Sequence, residues 1–309
     1  MYSSARKILS IPIFCALLSA FAPTAARAQS PDVLIAAPSS AATPDVLIAA
    51  PSSAPAQRFL TETFVLDVGI FVVGTDTKAS LNGQNVNNPE IDFNHTFGTG
   101  SDTSRLRVDG LWRITPRQHV EFMYFTNSIT RTRTLNDPID WGDYQFQANA
   151  EVTAKNRLSV YELGYEYAFL RKPTLELAGS FGIHFTKASL ALSGMATPIL
   201  STGQTSSFQV DKTASVPAPL PVLGLRAGWA FAPHFLLAGQ VQVFDFSYNA
   251  FHGHWTDFNV GLKYLFNSHI GIGIGYDDFS TNLSLSKNSF NGRLKLGYKG
   301  GLIQLTGAF

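Results

Sequence analysis

Beyond its first 28 residues the sequence has no cysteine; the single one is Cys15. A chain without thiols forms no disulfide, binds no metal through thiolates and carries no cysteine nucleophile. Charge is also scarce, with Asp, Glu, Lys and Arg at 15% of residues, where soluble proteins carry about a quarter. So little charge does not cover a soluble surface, and it points to a membrane or a large partner shielding part of the chain. The charges present sum to +1, which leaves no basic footprint and excludes nucleic acid as a partner. Long apolar runs are missing as well. After residue 30 no stretch supplies the ~18 consecutive apolar residues of a spanning helix, so helical membrane topology is excluded for the exported chain. Zinc, P-loop and dinucleotide fingerprints are absent, and Gly271-Ile272-Gly273-Ile274-Gly275 alternates as a strand rather than forming a phosphate loop. The reading therefore contains no metal and no cofactor.

Aromatic and apolar residues are abundant instead: 12% of the chain is aromatic and Phe occurs 24 times. Mean hydropathy still stays near zero, as expected where lipid-facing and polar residues alternate along strands. Residues 1–28 read as an export signal. Arg6 and Lys7 precede an apolar stretch from Ile8 to Phe21, and Ala26-Arg27-Ala28 forms an A-x-A cleavage site. Residues 29–60 read as an extended periplasmic leader rich in Ala, Pro and Ser, in which residues 31–41 recur identically at 44–54.

Over residues 61–309 the pattern has a period of two. Tyr161, Leu163, Tyr165, Tyr167 and Phe169 share one face of a strand, and Glu162, Gly164, Glu166 and Ala168 the other. Leu175 to Thr186 repeats the design, as do segments around Val68, Val108, Phe122, Leu225, Phe258, Ile272 and Leu294. Short turns at Thr115–Gln118, Arg171–Thr174, Ala232–His234 and Asn267–His269 alternate with longer polar stretches near 78–103, 131–150, 188–218, 249–255 and 281–289. Short periplasmic turns and long external loops are the signature of an all-β, closed antiparallel transmembrane barrel in the outer membrane. The count is about ten strands, within eight to twelve; ten holds if residues 288–309 form one strand, eleven if Lys299-Gly300-Gly301 turns. The apolar face changes parity near Gly300, and again between Val243 and Phe244, and each change reads as a bulge; a tight hairpin is the alternative at Gly300.

One face of each strand suits lipid and the other a polar lumen. The expected lumen network comprises Arg107, Asp109, Arg113, Glu121, Glu162, Glu166, Glu176, His184, Arg226, Lys263, Arg293 and Lys295, with Asp67, Arg105 and Asp257 beside it. Acids and bases nearly balance in that set, so ion pairs should largely fill a barrel of this size. A second pattern lies at the C-terminus, where Lys299, Gly300, Ile303, Leu305 and the terminal Phe309 match the signal that the barrel-assembly machinery reads on a final strand. An unpaired last strand offers that machinery its edge before closing on the first.

The repeated strands, Ile114-Thr115-Pro116-Arg117, Pro219-Leu220-Pro221-Val222-Leu223-Gly224-Leu225-Arg226, Gly273-Ile274-Gly275-Tyr276 and Gly307-Ala308-Phe309 together resemble small Gram-negative outer-membrane barrels of the OmpW-like and porin-like kind. That resemblance implies a narrow channel or passive transporter for small, often hydrophobic molecules, or a structural barrel. It also implies the lipid bilayer, lipopolysaccharide and the assembly machinery as partners, and it sets no oligomeric state. The rival class is an outer-membrane hydrolase, a protease or lipid-modifying enzyme with a site at the external rim. Its candidates are His252, His254 and Asp257, the pair Asp277-Asp278, and His184 with Ser180. Ser180 and His184 lie ~13 Å apart along a strand, too far for a direct hydrogen bond. No catalytic residue is assigned, and the expectation is a protein that is not an enzyme.

Overall fold

The computed structural model describes residues 53–309, apart from 85, 200–205, 249, 250, 288 and 289. The expected signal segment, and the leader with its duplication up to residue 52, lie outside the described residues. In chain order a short helix α1 (Pro55–Phe59) leads to β1 (Phe64–Leu81), β2 (Ile91–Asp92), helix α2 (Phe93–Phe97), β3 (Thr103–Arg113) and β4 (Gln118–Thr134). Then come β5 (Ile139–Trp141), β6 (Tyr144–Phe146), β7 (Glu151–Lys172), β8 (Leu175–Pro198) and β9 (Phe208–Ala232). The chain ends in β10 (Phe235–Tyr248), β11 (Phe251–Leu265), β12 (Ile270–Lys287) and β13 (Phe290–Ala308).

Ten of these strands, β1, β3, β4 and β7 through β13, pair antiparallel in sequence, and β13 returns to β1 to close the ring. Mutual backbone bonds of 2.8 Å between Phe64 and Phe309 seal the closure. Full closure leaves no edge at membrane depth, which is what makes a sheet tolerable in lipid. Large outward residues such as Ile70, Leu106, Leu163, Ile183, Leu225, Ile274 and Leu305 are exposed and form the apolar belt.

The strands are far longer than a membrane requires. β8 has 24 residues and β9 has 25, about 80 Å of extended chain each, where ~9–11 residues cross the bilayer. The expected loop at 188–218 is therefore mostly wall, with β8 running to Pro198 and β9 starting at Phe208. The expected loops at 249–255 and 281–289 are likewise mostly strand, with β11 starting at Phe251 and β12 running to Lys287.

Above the belt the inside of the molecule changes character. Val152, Ala154, Leu158 and Val160 on β7, Leu190 and Leu192 on β8, and Leu294, Leu296 and Tyr298 on β13 all point inward and are buried. Most outward positions there are polar, with Met195 and Phe208 as exceptions, so the wall has the inside-out order of a soluble protein. This explains the parity changes read in the sequence. The ladders of β13 with β1 and β12, and of β10 with β11, run without any register shift through Gly300 and Val243. No bulge or turn occurs at either place; the geometry stays in phase while the chemistry of the two faces exchanges at the membrane surface.

Above the belt the ring also divides. β3 pairs β4 only from Arg107↔Phe125 to Arg113↔His119, and β10 pairs β9 only up to Leu223↔Val243. Beyond those points β4-β7-β8-β9 and β10-β11-β12-β13-β1-β3 are two sheets with an apolar core between them, a β-sandwich standing on a barrel. Arg105 bridges the first seam, donating to Asn127 Oδ1 at 2.9 Å and to the Ser128 carbonyl at 2.8 Å. Along the second seam β9 carries Pro217, Pro219 and Pro221. Its ladder to β8 is unbroken there, so the donors come from alternate residues and the three proline nitrogens face the seam, where they blunt the free edge.

Candidate functional site

Three layers fill the interior. At the periplasmic mouth, the amide of Ala56 bonds the Pro233 carbonyl at 3.0 Å, seating α1 so that Ala56, Phe59 and Leu60 pack on Val65, Leu111, Ala230, Leu236 and Leu265. The last residues of the expected leader thus serve as a plug. At the extracellular end, packed rings fill the sandwich: Trp255 meets Phe279 edge-to-face at 4.2 Å between centroids, and Phe279 stacks on Tyr298 at 4.5 Å. A lid of β2, α2, β5 and β6 covers it with Phe93 against Trp141.

Between the plug and the core lies the charged layer, and most of the network expected from the sequence meets there. Arg226 Nε donates to both oxygens of Glu166 at 2.7 and 2.9 Å, while its Nη2 reaches Glu176 at 3.0 Å. Arg171 and Arg113 approach Glu176 at 3.2 and 3.7 Å. Arg107 grips Asp109 with Nε and Nη2 at 3.0 Å and forms a buried pair with Asp277. Lys263 bonds Asp67 at 2.6 Å. His184 Nε2 meets Gln242 Oε1 at 2.7 Å and Glu162 at 3.1 Å, and Gln242 Nε2 donates in turn to Glu162. Gln240 donates to Glu121 at 2.8 Å.

The cations also tie the layers together. Arg107 lies over the Phe71 ring of the core at 5.6 Å, and Lys263 over Phe59 of the plug at 5.3 Å, the geometry of cation–π attraction. A cavity of about 170 Å³ remains, lined among others by Asp67, Asp109, Glu121, Asp257, Lys263 and Gln304. It is roomy enough for several waters, which can serve the carboxylate oxygens Asp67 Oδ1, Asp257 Oδ1 and Asp277 Oδ1 that lack protein partners.

Two members of the expected network are elsewhere. Arg293 and Lys295 point outward above the belt, and Lys295 pairs with Glu90 at 3.0 Å outside the wall. Their placement inside rested on taking Leu294 and Leu296 as lipid-facing, whereas both are core residues. Without them the balance of charge shifts. Asp67, Asp109, Glu121, Glu162, Glu166, Glu176, Asp257 and Asp277 face Arg107, Arg113, Arg171, Arg226 and Lys263, with His119 and His184 beside them. The layer is therefore rich in acid rather than nearly balanced.

Sequence reasoning missed His119, which sits 3.4 Å from Glu166, and the two glutamines of β10. Gln240 and Gln242 alternate with Val241 and Val243, so the signal was present, but the strand's phase was obscured by Phe244, which packs inward against the core. The rim constellations do not assemble. His252 and His254 are exposed on the outer face of β11 while Asp257 is buried inside, and Asp277 and Asp278 likewise face opposite ways. His184 is engaged by Gln242 and Glu162, and Ser180 Oγ has no partner. On the final strand, Ile303, Leu305 and Phe309 are outward and exposed.

A closed ring of ten strands with a lipid-facing belt defines an outer-membrane β-barrel, and the outer membrane is its location. No protein-family model matches the chain, and no curated protein matches it. Among solved structures it is similar to the outer-membrane protease OmpT from Escherichia coli, at 11% identity and a TM-score of 0.54, covering 80% of this chain and 96% of that one. It also aligns with the toluene transporter TodX of Pseudomonas putida, at 9% identity and a TM-score of 0.37 over 84% of this chain and 93% of that one. The attachment invasion locus protein Ail of Yersinia pestis aligns at 6% identity and a TM-score of 0.31 over 78% and 97%. At such identities the likeness to OmpT is one of fold.

Proposed function

We propose that this protein is a structural barrel that anchors and displays an extracellular β-sandwich, closed to the passage of solutes at rest. The observation that carries this reading is the filling of the lumen at three successive levels: the α1 plug, the ion-paired layer and the aromatic core. Reconstitution in planar bilayers tests it. The expected result is an electrically silent membrane, and stepwise conductance from the unmodified protein would overturn it.

The acid-rich cavity favours a second reading, a narrow passive transporter of the kind that OmpW-like barrels suggest. In that reading α1 swings out of the mouth and the path favours cations, because carboxylates outnumber cations along it. Deleting residues 53–60 would then give cation-selective steps that weaken on Glu162→Gln. For a hydrolase the rim candidates lie on opposite faces of the wall and His184 is engaged by Gln242 and Glu162, and we assign no enzymatic role. The outward Ile303, Leu305 and Phe309 support recognition of β13 by the barrel-assembly machinery before closure, so Phe309→Ser is expected to lower the amount of folded protein in the membrane.

A further inference from the structure

Just above the belt, the outward charges are unevenly distributed around the wall. On β1, β10 and β12 the first charged outward residue past the apolar run is an acid: Asp76, Asp245 and Asp278. On β13 it is Lys299, which lies directly across from Asp278. On β7 and β8 the first such residues are Arg157 and Lys187, with Lys155 one row further out. All three are exposed, and among the described residues none is in an ion pair. Their outward neighbours on the adjoining strands, Thr126, Ser128, Thr130 and Ser189, carry no charge.

Arg157 pairs across from Ser189 and Lys187 across from Ser159, so the two cations are diagonal neighbours about 7–8 Å apart. They form one groove with the hydroxyls of Ser159 and Ser189 and with Tyr161 and Phe185. Tyr161 and Phe185 are roughly half exposed, at 48% and 45%, and Tyr161 stacks on Tyr124 at 5.0 Å. That aromatic row marks the level where acyl chains give way to headgroups, which puts the cations at headgroup depth.

We propose that this groove binds the phosphate groups of a phosphorylated glycolipid of the outer leaflet. Arg157 and Lys187 take the phosphates, Ser159 and Ser189 donate to their oxygens, and Tyr161 and Phe185 lie against the first methylenes of the acyl chains. The apolar floor is what commits the site to a lipid rather than to a free anion, since a soluble phosphate has nothing to place on it. The inference rests on the membrane orientation and is independent of whether the lumen conducts.

The test uses the folded full-length protein in neutral detergent. Binding of bisphosphorylated lipid A is measured by native mass spectrometry against the same lipid stripped of its phosphates. Each surface cation near an anionic headgroup strengthens binding severalfold. Arg157→Gln and Lys187→Gln are expected to weaken binding about fivefold each, and more than tenfold together. Lys299→Gln, already facing an acid, should bind as the unmodified protein does. The exchange Arg157→Lys with Lys187→Arg should keep binding, which separates lost charge from lost folding. Equal binding of the dephosphorylated lipid, or undiminished binding by the double glutamine variant, would overturn the proposal. Displacement of the lipid by equimolar inorganic phosphate would assign the groove to a free anion and overturn it too.

Discussion

Glu166 is fully buried and accepts two bonds from Arg226, so either charge alone would be stranded in a poorly solvated interior. Arg226→Met removes the partner shared by Glu166 and Glu176, and it should cost about 3–5 kcal/mol in urea unfolding, as broken buried pairs do. At Gly300 the constraint is steric. A Cβ there would meet the Val72 carbonyl oxygen at 1.9 Å, across the very ladder that closes the ring. Gly300→Ala is therefore expected to reduce the heat-modifiable folded band on gels, whereas Gly301→Ala, whose Cβ would come no nearer than 4.0 Å to the Gly275 carbonyl oxygen, should leave it intact. In the lid, burial works against ionisation of Asp92, but the His95 amide, the Lys78 ammonium and the Asn94 amide outweigh it and hold its carboxyl below the ordinary 3.8. A lowered folded value means that its contribution is present above the unfolded value and is lost as pH falls through the folded one. Protection of residues 91–98 from hydrogen exchange, corrected for intrinsic rates, should thus drop below about pH 4.

β8 shows how an element can cross two environments without changing conformation. Its lower half presents Phe181, Ile183 and Phe185 to lipid, and its upper half turns Leu190 and Leu192 inward. The lower half was legible because apolar residues alternate with Ser180, Gly182 and His184. The upper half read as a loop because small and polar residues dominate it, and its alternation has the opposite sense. Ile183→Arg should cost about 2–4 kcal/mol near the membrane midplane. Leu192→Ala should cost about 2–5 kcal/mol through the cavity it leaves in the sandwich, while outward Ser193→Ala should stay within about 0.5 kcal/mol. Equal effects at 192 and 193 in equilibrium unfolding would contradict the exchange of faces.

For the whole molecule, division of the wall into two sheets creates free edges that a simple barrel lacks. The β9 edge is blunted by proline nitrogens, so Pro219→Val with Pro221→Val restores donors to it. That variant should self-associate or extend the β9–β10 ladder, seen as a larger species by size-exclusion or as added amide protection on β10. The plug, the charged layer and the core are assembled from segments far apart in sequence. Lys263 and Asp67, for example, are 196 residues apart and meet only because the ring closes.

From the sequence came a barrel of about ten strands, the apolar face that meets lipid over the belt, the short turns and most of the charged residues that share the lumen. Each of these follows from period-two alternation, a local property set by where successive side chains point. Tertiary structure alone decided that the β13 ladder runs unbroken through Gly300, which chose ten strands over eleven, that Arg293 and Lys295 stand outside, that α1 plugs the mouth, and that the wall rises into a sandwich with an apolar interior. Alternation states which residues share a face but not which face is inside, and that choice depends on whether lipid or water lies beyond the wall at that height.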